Sequence, residues 1–99
     1  MIDLDKVEGF DWDAGNARKN EKHGVTQGEA EQIFLNEPLY LSADEKHSGS
    51  EHRYRALGKT TDGRPLVVIF TLRQSGRRIR IISTRDMNVK ERKLYEGQT

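Results

Sequence analysis

Leu66 to Leu72 is the longest strongly apolar run in this chain, and it constrains the fold more than any other feature. A run of seven such residues has the length of a strand, and its near-continuous hydrophobicity from Pro65 onward suits a central strand covered on both faces. The remainder cannot offer a second centre of this kind, because only 33% of the residues are apolar while 33% are charged. With 99 residues, a domain buries about two-thirds of its unfolded surface. That is enough for one modest core, and too little for two lobes with a cleft between them.

The elements around this strand can be placed from local signals. Phe10 and Trp12 fall on one side of a possible short strand, and Asp13 is an N-cap candidate for a helix over Ala14–His23 that Gly24 would stop. Thr26 and Glu29 form a capping-box pattern for a second helix, with Val25 and Ala30 as its hydrophobic staple. Asn36 and Pro38 end it. Leu39, Leu41 and Ala43 alternate with polar neighbours as a strand, and His52–Lys59 is the next. Turns at Asp62-Gly63 and Gln74-Ser75-Gly76 bracket the central strand. Arg77–Thr84 is a fourth strand, anchored by Ile79, Ile81 and Ile82. Asn88 and Glu91 repeat the capping pattern and open a closing helix. The expected fold class is therefore α+β: two N-terminal helices, an antiparallel sheet of about four strands and a C-terminal helix. Residues 1–9 are expected as a loose lead-in to a single domain over residues 10–97.

The net charge of +1 conceals a gradient along the chain. Residues 1–16 carry five acidic groups and one basic, residues 17–70 balance, and residues 71–99 carry eight basic and three acidic, so the three stretches hold −4, 0 and +5. A positive end on a near-neutral chain suits a local site for a polyanion; it equally suits a solvated basic strand and helix. Cysteine is absent, so disulfides, thiolate metal sites and cysteine nucleophiles are excluded together. Asp3, Asp5 and Glu8 make the N-terminus unlike a signal peptide, and the apolar run is far shorter than the roughly 20 residues that cross a bilayer. A cytoplasmic protein without membrane contact is expected. His23, His47 and His52 match no compact zinc spacing, and there is no glycine-rich phosphate loop. Neither metal nor cofactor is expected.

Strand register sorts the basic residues. Folding the last two strands about Gln74-Ser75-Gly76 sets Arg85 opposite Leu66, close to Arg64. The Asp62-Gly63 turn brings Lys59 to the same end. Arg92 and Tyr95, three apart on the closing helix, lean over it. Arg73 falls about 23 Å from Leu66 along the strand, near Glu51 and Arg53, as a structural ion cluster.

The order and spacing of several short motifs carry a resemblance. Phe10-x-Trp12-Asp13, Asn20-x-Lys22-His23-Gly24-Val25, Glu29-Ala30, His47, Glu51-x-Arg53, Gly58, Arg80-Ile81-Ile82-Ser83-Thr84-Arg85 and Glu91-Arg92-x-x-Tyr95 together resemble the BrnT family of bacterial toxins, from Phe10 to Tyr95. The resemblance implies a RelE-like fold, ribonuclease activity and growth arrest. It also implies a BrnA-like ribbon–helix–helix antitoxin as partner, with operator DNA met only through the toxin–antitoxin complex.

For such an activity the residues can be given roles. RNA carries its own nucleophile, the 2′-OH, so a protein need only align the attack, neutralise the phosphate and manage two protons. Arginine holds phosphate oxygens well because its fork is planar and always charged, which points to Arg64 and Arg85; the competing reading is a solubilising rim. Lys59, Lys22 and Arg92 would add charge along the backbone. His23 titrates near neutrality and suits proton transfer, or it simply closes the first helix beside Lys22. Tyr95 is a candidate for proton transfer or alignment, or an edge residue of the last helix. Trp12 either stacks on a base or belongs to the core. A non-catalytic homologue that only binds RNA or antitoxin, and a nuclease active only on ribosomes, are the rival functions.

Overall fold

The apolar run is central, as its composition requires. In the computed structural model, which describes residues 2–12, 24–44 and 51–97, β4 (Pro65–Arg73) is the middle strand of a five-stranded sheet ordered β1-β5-β4-β3-β2. β1 is Gly9–Asp11, β2 Tyr40–Ala43, β3 Tyr54–Lys59 and β5 Arg78–Asp86. Strands β2 to β5 form an antiparallel meander. The expectation of about four antiparallel strands is corrected by β1, which pairs with β5 in parallel and makes the sheet mixed. Its partner lies almost seventy positions away in sequence, so no local turn signal announces it.

The second expected helix is present as α1 (Gln27–Gln32), with both arms of the Thr26–Glu29 capping box formed. Val25 and Ala30 are buried beside it, as the staple requires. The first expected helix, Ala14–His23, lies outside the described residues, so one N-terminal α-helix is seen among them and not two. Residues expected as a loose lead-in contain a 3-10 turn at Leu4–Lys6, and Ile2, Leu4 and Val7 pack against the core. The closing helix is α2 (Val89–Gly97), capped reciprocally by Asn88 and Glu91.

Alternation along the strands gives the sheet two unlike faces. One, the core face, carries Ala56, Leu66, Val68, Phe70, Ile79 and Ile81 under α1. Phe70 stacks edge-on against Phe34 at 5.2 Å and meets Tyr54 at 5.5 Å, and Phe34 reaches Phe10 at 5.7 Å. Gly58 completes this packing: a Cβ there would come within 3.0 Å of Ile33. The other face has only a small apolar cluster of Leu57, Val67, Met87 and Tyr95 at the end where α2 leans over it. No described helix covers the rest, and this is the open face.

The open face owes its composition to a β-bulge. Between the turn and Phe70 the β4–β5 register is the one expected from sequence, but Ile69 pairs with Ser83 while Phe70 pairs with Ile81, which leaves Ile82 as the extra residue. The expected pairing of Arg85 with Leu66 is therefore corrected to Val67, and Leu66 faces Asp86. A slip of one residue exchanges faces, so the bulge moves Arg85 from the core side to the open side.

Candidate active site

The open face collects arginines from three strands. Arg55 on β3 sits across Ile69 from Ser83, and Arg80 and Arg85 on β5 share its side of the sheet with Arg78 and Arg73. Carboxylates temper this charge. Asp11 binds Arg78, Glu51 binds Arg73 at 3.1 Å, and Glu91 holds Arg85. The Glu51–Arg73 pair lies at the far end of the strand, where an ion cluster of Glu51, Arg53 and Arg73 is expected. Among the described residues this face carries five arginines, Arg55, Arg73, Arg78, Arg80 and Arg85.

Arg85 is the best-organised of these cations. Its two terminal nitrogens donate to the two oxygens of Glu91 at 2.7 and 2.8 Å. Glu91 also accepts from the Asn88 backbone at 2.9 Å as the cap of α2. The Glu91 side chain is 9% exposed and that of Arg85 45%, so the carboxylate is sunk while the guanidinium still presents an edge to solvent. Hydrogen bonding to Arg85 holds the Glu91 carboxyl below the usual range, and Arg55 adds a further Coulombic pull. The same bond raises the Arg85 pKa. One carboxylate thus starts α2 and orients the arginine.

The other residues expected at the site do not all gather around Arg85. Arg64 lies at the core-face side, where Nε and Nη2 donate to Asp86 at 2.6 and 3.0 Å and Nη1 donates to Glu29 at 3.2 Å and the Gly24 carbonyl at 2.9 Å. It ties the start of α1 to the end of β5, and the sheet separates it from Arg85. Tyr95 is 6% exposed; its hydroxyl donates to the Pro38 carbonyl at 2.6 Å, its ring meets Tyr40, and burial raises its pKa. Trp12 donates to Glu31 at 2.8 Å and packs against the core. Lys59 is exposed at the open-face end of β3, and Arg92 is exposed on α2. His23 and Lys22 lie outside the described residues, as does His47. Among the described residues no group of three or more His, Asp or Glu could hold a metal ion, and no helix is long and apolar enough to cross a membrane.

The Arg64 clamp has a measurable signature. Arg64 hydrogen-bonds Asp86 and lowers its pKa. The Glu29 carboxyl is lowered first by its bond to the Thr26 backbone and then by Arg64. Groups depressed in the folded state stabilise it above their unfolded pKa and lose that contribution as pH falls through the folded value. Arg64→Ala is expected to cost about 1 kcal/mol at pH 7, discounted for partial exposure. The deficit should shrink below about pH 4, where the carboxylates protonate even in the unfolded chain. Thermal melts of both proteins from pH 3 to 7 measure this. Melting that Arg64→Ala leaves unchanged across this range would overturn the clamp's structural role.

The class of protein at hand is a small α+β domain with an arginine-bearing sheet face that no described helix covers beyond the end under α2. Residues 12–91 match the family described as the ribonuclease toxin BrnT of type II toxin–antitoxin systems, and the chain belongs to that family. No curated protein matches the chain. Family membership brings RNA as target and an antitoxin as partner. Arg55 and Arg80 were not singled out from sequence, although the alternations Arg53-x-Arg55 and Arg78-x-Arg80 carried the signal.

Proposed function

We propose that this toxin cleaves RNA on the open face of its sheet, by attack of the 2′-OH on the adjacent phosphate and without a metal ion. The observation that carries this reading is the cluster of Arg55, Arg80 and Arg85 on a face that no described helix covers, with Arg85 pre-oriented by Glu91. The 2′-oxygen bonds to phosphorus as the bond to the 5′-oxygen breaks. The products are a 2′,3′-cyclic phosphate and a 5′-hydroxyl. Arg85, with Arg55 beside it, takes the non-bridging oxygens, whose charge grows in the transition state. Lys59 and Arg92 steer the flanking backbone, joined by Lys22. His23 is proposed to carry the protons, because histidine as a residue type can take and give a proton near neutrality. Arg64, Tyr95 and Trp12 serve the scaffold that presents this face.

The reading extends to a RelE-like architecture over residues 10–97, a cytoplasmic location, which an absence of cysteine suits, and a ribbon–helix–helix antitoxin through which operator DNA is met.

Purified toxin is expected to cut naked RNA in excess EDTA and to leave 5′-hydroxyl ends, read by end-labelling and mass spectrometry. Cleavage that stops in EDTA and returns with magnesium would overturn the metal-independent route. Cleavage confined to RNA on translating ribosomes would assign the missing groups to the ribosome.

A further inference from the structure

The most exposed large apolar residue is far from the open face. Leu35, 78% exposed, follows α1, and two adjoining hollows meet at it on the core-face side. One, of about 500 Å³, is walled by Leu4, Phe34, Leu35, Leu39 and Leu41 with Glu37. The other, of about 200 Å³, shares Leu4, Phe34 and Leu35 and adds Val7, Phe10, Ile79 and Glu8. Adjoining at Leu4, Phe34 and Leu35, they form a groove between the N-terminal 3-10 turn and the segment that follows α1, with leucine and phenylalanine walls and Asn36, Glu37 and Glu8 at its edges.

The charge around the groove restricts what it can accept. Among the described residues each hollow contains one carboxylate, Glu37 or Glu8, and no lysine or arginine lines either. Asp3 and Asp5 are exposed on the adjoining turn; Lys6, its one cation, lines neither hollow. The carboxylates described around the groove disfavour a polyanion such as RNA. An apolar face flanked by lysine or arginine would bury leucine-type side chains in the hollows and meet Glu8 and Glu37 at the edges.

We infer that this groove anchors the antitoxin through a basic amphipathic helix, on the opposite side of the sheet from the RNA. The inference rests on the antitoxin partner that family membership brings, and is independent of how, or whether, the chain cuts RNA. Anchorage is the groove's task; the bulk of the antitoxin is then positioned to reach the arginines round the edge of the sheet.

Calorimetric titration of the full-length toxin with the antitoxin encoded beside it tests this, with RNA cleavage by free toxin measured in parallel. Leu35→Asp is expected to weaken binding at least about tenfold, and Glu8→Lys with Glu37→Lys by a similar factor. Both variants should cleave RNA at the unaltered rate, since none of the three residues lies on the open face. Wild-type affinity in both variants would overturn the inference, as would loss of affinity only when Arg55 or Arg80 is replaced. Sedimentation showing a toxin dimer that Leu35→Asp dissociates, with antitoxin binding intact, would assign the groove to a second copy and overturn it too. Failure of the cleavage proposal would appear in the parallel assay alone.

Discussion

Arg85→Ala should leave a folded protein that cleaves RNA about 10²–10³-fold more slowly, the usual loss when one pre-positioned donor to a transition-state oxyanion is removed. Arg85 reaches the open face only through the bulge at Ile82 and is held there by both oxygens of Glu91. Removing it strands a sunken carboxylate, but that carboxylate keeps its bond from the Asn88 backbone N–H and its Coulombic attraction to Arg55. The stability cost is therefore about 1–2 kcal/mol, discounted for the exposure of Arg85. Circular dichroism and melting curves separate the two effects. Arg85→Lys retains the charge without the fork and should recover only part of the rate. Undiminished cleavage by Arg85→Ala would remove this residue from the mechanism.

The largest effect on stability is expected at Phe70. It is fully buried, on the central strand, and joins Phe34 and Tyr54 into one aromatic cluster. Phe70→Ala opens a cavity that α1 and the sheet can only partly close, at a cost of about 3–5 kcal/mol. That is a large share of the roughly 5–15 kcal/mol by which a domain is stable. Urea unfolding should show a midpoint lowered accordingly, or no folded baseline. Phe70→Leu, which keeps most of the volume, should lose far less.

The sequence made some of this legible and left other parts hidden, for identifiable reasons. Capping boxes at Thr26–Glu29 and Asn88–Glu91, the turn residues Gly63 and Gly76, and the apolar run of β4 are local signals, and each lies where it was read. The partner of β1 is set by long-range packing of Phe10 over Ile79, which no local pattern records. The bulge had a trace: Ile81 and Ile82 are both apolar, which breaks the alternation of β5. Counted as a regular strand, that pair sets Arg85 beside Arg64; the extra residue places them on opposite faces. The ion partners were not legible either. Asp86 and Glu91 follow Arg85 closely in sequence, yet one serves Arg64 and the other Arg85, because successive strand positions face opposite ways.

The parallel pairing of β1 with β5 also has a bearing on synthesis. Chains emerge N-terminus first, and Gly9 to Asp11 wait for Arg78 to Arg80 before they can join the sheet. Until then Leu4, Val7 and Phe10 have no Ile79 to pack against, and the smaller hollow does not exist. The smaller hollow is a property of the completed sheet. A partner that reads it ignores nascent chains and truncated products, and engages only molecules already able to fold into the active form.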